Sequence, residues 1–451
     1  MNKYILLLPL LVIAFSQSLS ISPEFTYQYE SDNEQYAIEE FSIQDYELTF
    51  IGTYNKDKLN ILARMGYHLL DGVRSKPSDF TRQQGLHWVE YPPGIADDQS
   101  NYYVADLKLE YGDSASYFYF NKWDKHWGPG VNSLTISNKI PSFLHFGFKW
   151  QLKENIHFEY FHGKLKSNID DTLYAGYYDY VGYNPIDINR NIVGHRLEWK
   201  PFKHLVVSGS ELIVYANREI ELTFLLPFVP FFPIQSYIGE TDNVIMSGDI
   251  QFLPNENVRV YGVFFMDEWA PTYTFKEDNN NWFGWQTGFE WKDAILPKSR
   301  LRMEYTWTDH RIYRHRYPVN DYYSWGYPVG FWAGPHAEES YFSYNFPLKG
   351  MEMRSFISRV KRGELTDQML EDQYDDIVNK QDSGETEERT VVSLICKKGF
   401  VDNKVFLRVG CEWIDWQNPG FDPYSPQNNI PDLSKFSIVI GVSAITPVSF
   451  D

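Results

Sequence analysis

The feature that most limits this chain is an alternation of apolar and polar side chains held over segments of about ten residues. In "FLHFGFKWQL", Leu144, Phe146, Phe148, Trp150 and Leu152 share one face, while His145, Gly147, Lys149 and Gln151 share the other. In "SRLRMEYTWT", Leu301, Met303, Tyr305 and Trp307 stand opposite Arg300, Arg302, Glu304 and Thr306. Successive side chains of a strand point to opposite faces, so these are strands between two unlike surroundings. A soluble sandwich alternates too. Strands of about 9–11 residues, apolar on one side and charged on the other, instead fit a barrel that crosses a membrane with its apolar side outward.

Turn spacing extends this reading. Short turns are expected at 55–57, 112–114, 153–154, 201–203, 254–256, 293–298, 347–350 and 399–402. Between them run long segments, 71–101, 124–142, 165–190, 215–242, 269–282, 309–340, 362–389 and 415–435. Short turns at one end and long loops at the other is the outer-membrane arrangement, with the short turns in the periplasm. The hairpins supply sixteen strands, and "EFTYQY" (24–29) and "FSIVIGVSAI" (436–445) supply a first and a last. The expected fold is all-β, a transmembrane outer-membrane barrel of about eighteen antiparallel strands with long extracellular loops. Phe450 lies one residue from the end, near where such barrels carry an aromatic.

The first twenty residues read differently. A lysine near the start, an apolar run over 5–15 and the small residues Ser18 and Ser20 describe a secretory signal peptide, 1–20, cleaved after Ser20. That leaves 21–451 as a single barrel domain. A membrane-spanning helix needs about 20 apolar residues. The apolar stretch "LTFLLPFVPFFPI" (222–234) is broken by prolines, so no such helix is expected. Aromatic residues make up 18% of the chain, which suits rings placed at membrane–water interfaces. A net charge of -19 argues against a nucleic-acid partner. Cys396 and Cys411 both fall on apolar faces, and the turn at 399–402 sets Cys396 opposite about residue 406, too far from Cys411 for a disulfide. The acidic stretch 363–390 reads as a solvated loop rather than a helix.

The stretch "KHWGPGVNSLTISNKIPSF" begins after one good strand and runs into the next. Its glycines and proline suit a rigid turn that folds back over the lumen, with Trp127 as anchor. Trp127, Gly128, Pro129, Gly130, Ser133, Leu134, Ser137, Asn138 and Pro141 resemble the characteristic Trp-Gly-Pro-Gly segment of the Wzi family of capsule-assembly outer-membrane proteins. The resemblance continues in order through "FEYFHGKLKS" (158–167), the stretch 195–233 and "WGYPVGFWAGPHAEE" (325–339). The chain departs from the family at Lys139, where a second asparagine is usual, and shows no helical pattern over 21–46 for a periplasmic helix. The resemblance implies an occluded barrel of eighteen strands that binds capsular or related surface polysaccharide and carries out no catalysis.

Carbohydrate binding calls for flat rings to stack on sugar C–H faces and polar groups to take hydroxyls. The segment 309–340 offers Tyr322, Tyr323, Trp325 and Trp332 beside Arg311, Arg314 and Arg316. Guanidinium groups match carboxylates, so a uronate-containing polymer is the expected ligand class. The same rings could instead fold the loop into the barrel mouth. By parity Lys149, Glu159, Arg196, Glu198, Glu211, Arg259, Arg300, Arg302, Glu304, Arg354, Arg408 and Glu412 point into the lumen as paired charges.

No Gly-x-Ser-x-Gly, His-Glu-x-x-His or Cys-x-x-Cys occurs, so neither an enzyme nor a metal or cofactor site is expected. The expected function is polysaccharide binding in capsule or exopolysaccharide assembly or attachment. The alternative is a porin-like channel for solutes or for polysaccharide export. Expected partners are surface polysaccharide, outer-membrane lipid and the barrel-assembly machinery.

Overall fold

The structure, a computed structural model, describes residues 19–32, 42–72, 88–89, 99–172, 186–239, 241–269, 281–366, 384–426 and 430–450. Among these, eighteen long strands follow one another around a closed barrel. They are β1 (Leu19–Glu30), β2 (Ile43–Lys56), β3 (Leu59–Asp71), β4 (Gln99–Gly112), β5 (Tyr117–Trp123) and β6 (Phe143–Lys153). Then come β7 (Ile156–Asp170), β8 (Asp187–Phe202), β9 (Leu205–Ala216), β10 (Asn243–Phe252), β11 (Val258–Glu268) and β12 (Trp282–Lys292). The last are β13 (Arg300–Thr308), β14 (Ala337–Leu348), β15 (Met351–Gly363), β16 (Thr386–Phe400), β17 (Val405–Gln417) and β18 (Leu433–Ile445).

Each strand pairs antiparallel with its neighbour, and β18 closes on β1 from Glu24↔Ile445 to Glu30↔Val439. The first strand starts earlier than expected, at Leu19, because Leu19–Ile21 pair both with β2 and with a short C-terminal strand, Val448–Phe450. The eight tight turns fall within a few residues of their expected positions. Most of the acidic stretch expected as a loop, and residues 1–18, lie outside the described residues.

Outward positions form an apolar band, including Phe118, Phe120, Leu144, Phe146, Leu197, Trp199, Met303 and Trp413. Such a belt around a closed barrel is what lipid hydrocarbon requires, since a closed sheet leaves no edge unpaired. Cys396 and Cys411 are free and lie on this outer face. Their register differs from the expected one: Cys396 is opposite Val409 and Cys411 opposite Leu394, because β16 and β17 run on to Phe400 and Val405.

The lumen is not an aqueous channel lined only by charge. Its long-loop half holds an apolar core in which Phe161, Leu165, Ile192, Leu212, Val214 and Phe265 of the wall meet Leu134, Ile136, Tyr313, Tyr322, Phe331 and Trp332 of two inserted loops. Charged side chains line both halves, with Arg259, Arg300, Arg302 and Glu290 towards the short turns and Arg190, Arg362, Glu387 and Arg389 towards the long loops. Eleven of the twelve residues placed inward by parity do face the lumen; Glu211 does not. Its partner across β8–β9 is His195, next along the wall to the inward pair Ser210↔Arg196, so Glu211 faces outward. There it lies under residues 222–239, which fold down over the outside of β6–β9 and carry a short helix, α1 (Phe231–Ile238).

Candidate functional site

The loop between β5 and β6, residues 124–142, descends into the barrel as a hairpin. Trp127 and Ile136 form an antiparallel bridge, and the Ser133 hydroxyl donates back to the Trp127 carbonyl. Gly128 has φ near 123°, a conformation that L side chains rarely adopt, and a Cβ there would lie 2.5 Å from the Ser133 Oγ. At Gly130 a Cβ would lie 2.2 Å from the Gln286 Oε1, so a larger residue would have to push aside the amide that holds the hairpin tip against β12. Trp127 is buried, packed edge-on against Phe161 with ring centroids 5.0 Å apart. Its role is that of an anchor. Asn138 is exposed.

The wall grips the hairpin by its backbone. Glu304 accepts from the Val131 N–H at 2.7 Å, from the Asn132 N–H at 3.3 Å and from the Tyr261 hydroxyl at 2.6 Å. Gln286 donates to the Asn132 carbonyl at 2.6 Å, and Arg259 to the Pro129 carbonyl at 3.2 Å. A buried donor left without an acceptor costs about 1–3 kcal/mol. Glu304→Ala strands two amides and a hydroxyl, so it is expected to loosen the hairpin while the barrel still forms. Hydrogen exchange at Val131 and Asn132 should speed up sharply; unchanged protection there would show that Glu304 is not the grip.

The second inserted segment, residues 309–336, packs on the first. Tyr313 donates to the Leu134 carbonyl at 2.8 Å and Tyr322 to the Thr135 carbonyl at 2.6 Å. Tyr322 is therefore wholly buried in the plug rather than offered to a ligand. Arg311 is buried too, paired with Asp309 at 2.9 Å and with the Asn281 carbonyl at 3.3 Å. Arg316 is exposed and lies over the Tyr317 ring. Trp325 carries the Lys166 ammonium 5.0 Å above its ring.

Above the plug, at the long-loop end, is a cleft of about 330 Å³. Arg314, Tyr323 and Trp332 of the expected residues line it with Tyr327 of the same segment, joined by Arg190, Arg362 and Tyr424 from elsewhere in the chain. Trp332 forms floor, donating its Nε1–H to Glu339 at 3.0 Å. Tyr424 is the most open ring, 44% exposed. Arg314 bonds to the Tyr424 hydroxyl at 2.8 Å and to Asp321 at 3.2 Å. Burial pushes the Asp321 carboxyl up to about 6, although Arg314 and the His315 N–H pull the other way. Arg190 donates to the carbonyls of Pro318, Val319 and Tyr323, at 2.9, 2.6 and 2.8 Å, which fixes the rim of the cleft. Arg362 is held by Glu387 at 2.7 Å and by the Phe421 carbonyl at 3.0 Å. The cleft can thus offer rings for stacking and donors for hydroxyl or carboxylate groups.

At the opposite end a second cavity of about 430 Å³ lies among Lys200, Arg259, Lys292, Arg300 and Arg302, with Glu198, Glu256 and Glu290 between them. Among the described residues no cluster of three or more His, Cys, Asp or Glu side chains is placed to hold a metal.

These features define a transmembrane β-barrel of the outer-membrane class with a filled lumen and a cleft at its loop end. Wzi of Escherichia coli, an outer-membrane protein involved in group 1 capsule assembly and described as a carbohydrate-binding β-barrel, has a similar fold. The match has a TM-score of 0.58 at 12% identity, over 97% of this chain and 86% of that one. OccK7 of Pseudomonas aeruginosa matches at TM-score 0.48 and 10% identity, over 96% of this chain and 99% of its own. OprD of the same organism matches at 0.45 and 11%, over 96% and 95%. No protein-family model and no curated protein matches the sequence.

Proposed function

We propose that this barrel binds a surface polysaccharide at its outer cleft and holds it to the cell in capsule or exopolysaccharide assembly, without catalysis. The observation that carries this reading is the cleft itself. Exposed and half-buried tyrosines, Tyr323 and Tyr424, stand beside Arg314 above a lumen filled by side chains. A packed floor suits retention of a polymer better than its passage. Wzi, of similar fold, is described as carbohydrate-binding, which agrees with this reading.

Uronate-containing and neutral polysaccharides offered to the purified barrel on a glycan array provide the test. Tyr424→Ala is expected to weaken retention about tenfold, the equivalent of about 1.4 kcal/mol, with little dependence on salt. Arg314→Gln is expected to weaken retention of the uronate polymer alone, and the loss should shrink as salt rises, because exposed charges are screened over about 8–10 Å at physiological ionic strength. Unchanged retention in both folded variants would move the ligand away from this cleft.

A further inference from the structure

Residues 222–239 contain no charged side chain, include Pro227, Pro230 and Pro233, and lie on the outside of the barrel. They cover wall positions that would otherwise face lipid: Val193, Ile213 and Tyr215 are fully buried beneath them. The descent is deep. Phe228 stacks on Phe158 at 4.7 Å and lies 6.2 Å from the Trp150 ring. Phe158 is level with Leu197 and Gly209, seven residues below the outer end of β9 at Ala216. At about 3.3 Å per residue that is about 23 Å along the strand, or roughly 18 Å along the barrel axis for a tilt near 40°.

The outer wall beneath is unusually polar. A bare carboxylate or imidazole would be costly on a lipid face, yet each of these groups is engaged. Glu211 accepts the N–H groups of Phe231 at 2.7 Å and Phe232 at 2.8 Å, capping α1, and pairs with the His195 Nε2 at 3.0 Å. The His195 Nδ1 meets the Pro227 carbonyl at 3.1 Å. Tyr160 donates to the Phe224 carbonyl at 2.9 Å, and the Tyr215 hydroxyl accepts from the Glu221 N–H at 3.0 Å. The three prolines bring no N–H at all. Irregular backbone survives at membrane depth only where protein satisfies it, and here wall and segment satisfy one another.

We propose that residues 222–239 are a re-entrant flap seated within the bilayer, whose outer face binds the acyl chains of outer-membrane lipid. The occupant follows from continuity. Leu222, Phe228 and Phe232 are 73%, 58% and 55% exposed, and they extend the apolar band formed by Leu144, Phe146, Leu197 and Trp199 on the strands beside them. The flap exchanges a flat strand surface for a raised ridge of aromatic and leucine side chains, so lipid packs against it and not against Val193, Ile213 and Tyr215 in the outer part of β8 and β9.

The test places a nitroxide on Phe228→Cys in a chain also carrying Cys396→Ser and Cys411→Ser, reconstituted in phospholipid bilayers. Oxygen, which partitions into hydrocarbon, is expected to relax the label several-fold more than a water-soluble nickel chelate, as at a Phe120→Cys reference. A label on the exposed turn at Asp402→Cys should show the reverse. Leu222→Cys, at a position 73% exposed, serves if the first variant does not assemble. Nickel access at 228 or 222 equal to that at 402 would overturn the proposal by placing the flap in water. Shielding from both reagents would overturn it by showing a protein chain, such as a second copy, on the flap. Glu211→Leu should raise the mobility of the label at 228, and an unchanged spectrum would remove the carboxylate as the hub of the flap.

Discussion

A chain in which an Asn-Gly turn replaces residues 128–135 is expected to pass ion current in a planar bilayer, where the unaltered barrel is expected to be silent. The Trp127↔Ile136 bridge makes the excision sterically simple, because its two strands already lie side by side and a two-residue turn can join them. What is lost is the part that fills the lumen. Leu134 is fully buried among Ile312, Tyr313 and Phe331, and the tip from Pro129 to Asn132 occupies the space between Arg259, Gln286 and Glu304. Without it, the Tyr313 and Tyr322 hydroxyls lose their carbonyl acceptors, so the second loop loosens as well. Water then enters a wall that includes Glu304, Gln286 and Ser247. Heat-modifiability on a gel would show that the barrel still closes. Silence in a folded variant would mean that residues 309–336 seal the lumen alone.

The second large effect is expected at Arg190. Its guanidinium satisfies three backbone carbonyls of the cleft rim at once and is almost fully buried. Arg190→Met keeps much of the side-chain volume but leaves those carbonyls without donors. At about 1–3 kcal/mol per stranded group, the rim over 318–323 should leave its position while the strands remain paired. Polysaccharide retention is expected to fall at least as far as in Tyr424→Ala, and proteolysis of the folded barrel should gain a cut near Pro318. A variant that retains polymer and resists proteolysis would show that the rim holds itself.

Much of the architecture could be read from the chain. Strand number, hairpin turns and loop ends follow from a two-residue period interrupted at short intervals, because each strand separates hydrocarbon from a different interior. Reading failed where that contrast disappears. From Leu212 to Ala216 every residue of β9 is buried, since the plug covers one face and the flap the other. The sequence there, "LIVYA", has no alternation to anchor the parity, and Glu211 beside it reads as inward. Glu211 is tolerated on the outer face because α1 gives it two amides to accept. The cleft was half legible. Arg314, Tyr323 and Trp332 lie in one ring-rich segment, whereas Arg190, Arg362 and Tyr424 reach the same place from three other parts of the chain, and nothing in their local sequence marks them.

The dry core inside the barrel also sets its girth. An open pore can gain or lose a hairpin and remain a pore of different width, since water fills whatever is enclosed. Here the strands are wrapped on side chains that they must touch. An added hairpin would widen the ring and leave a void beside Leu134 and Phe331, and a lost one would leave no room for Trp332. The two plug loops act as a mandrel, and the circumference of eighteen strands is the one that fits it.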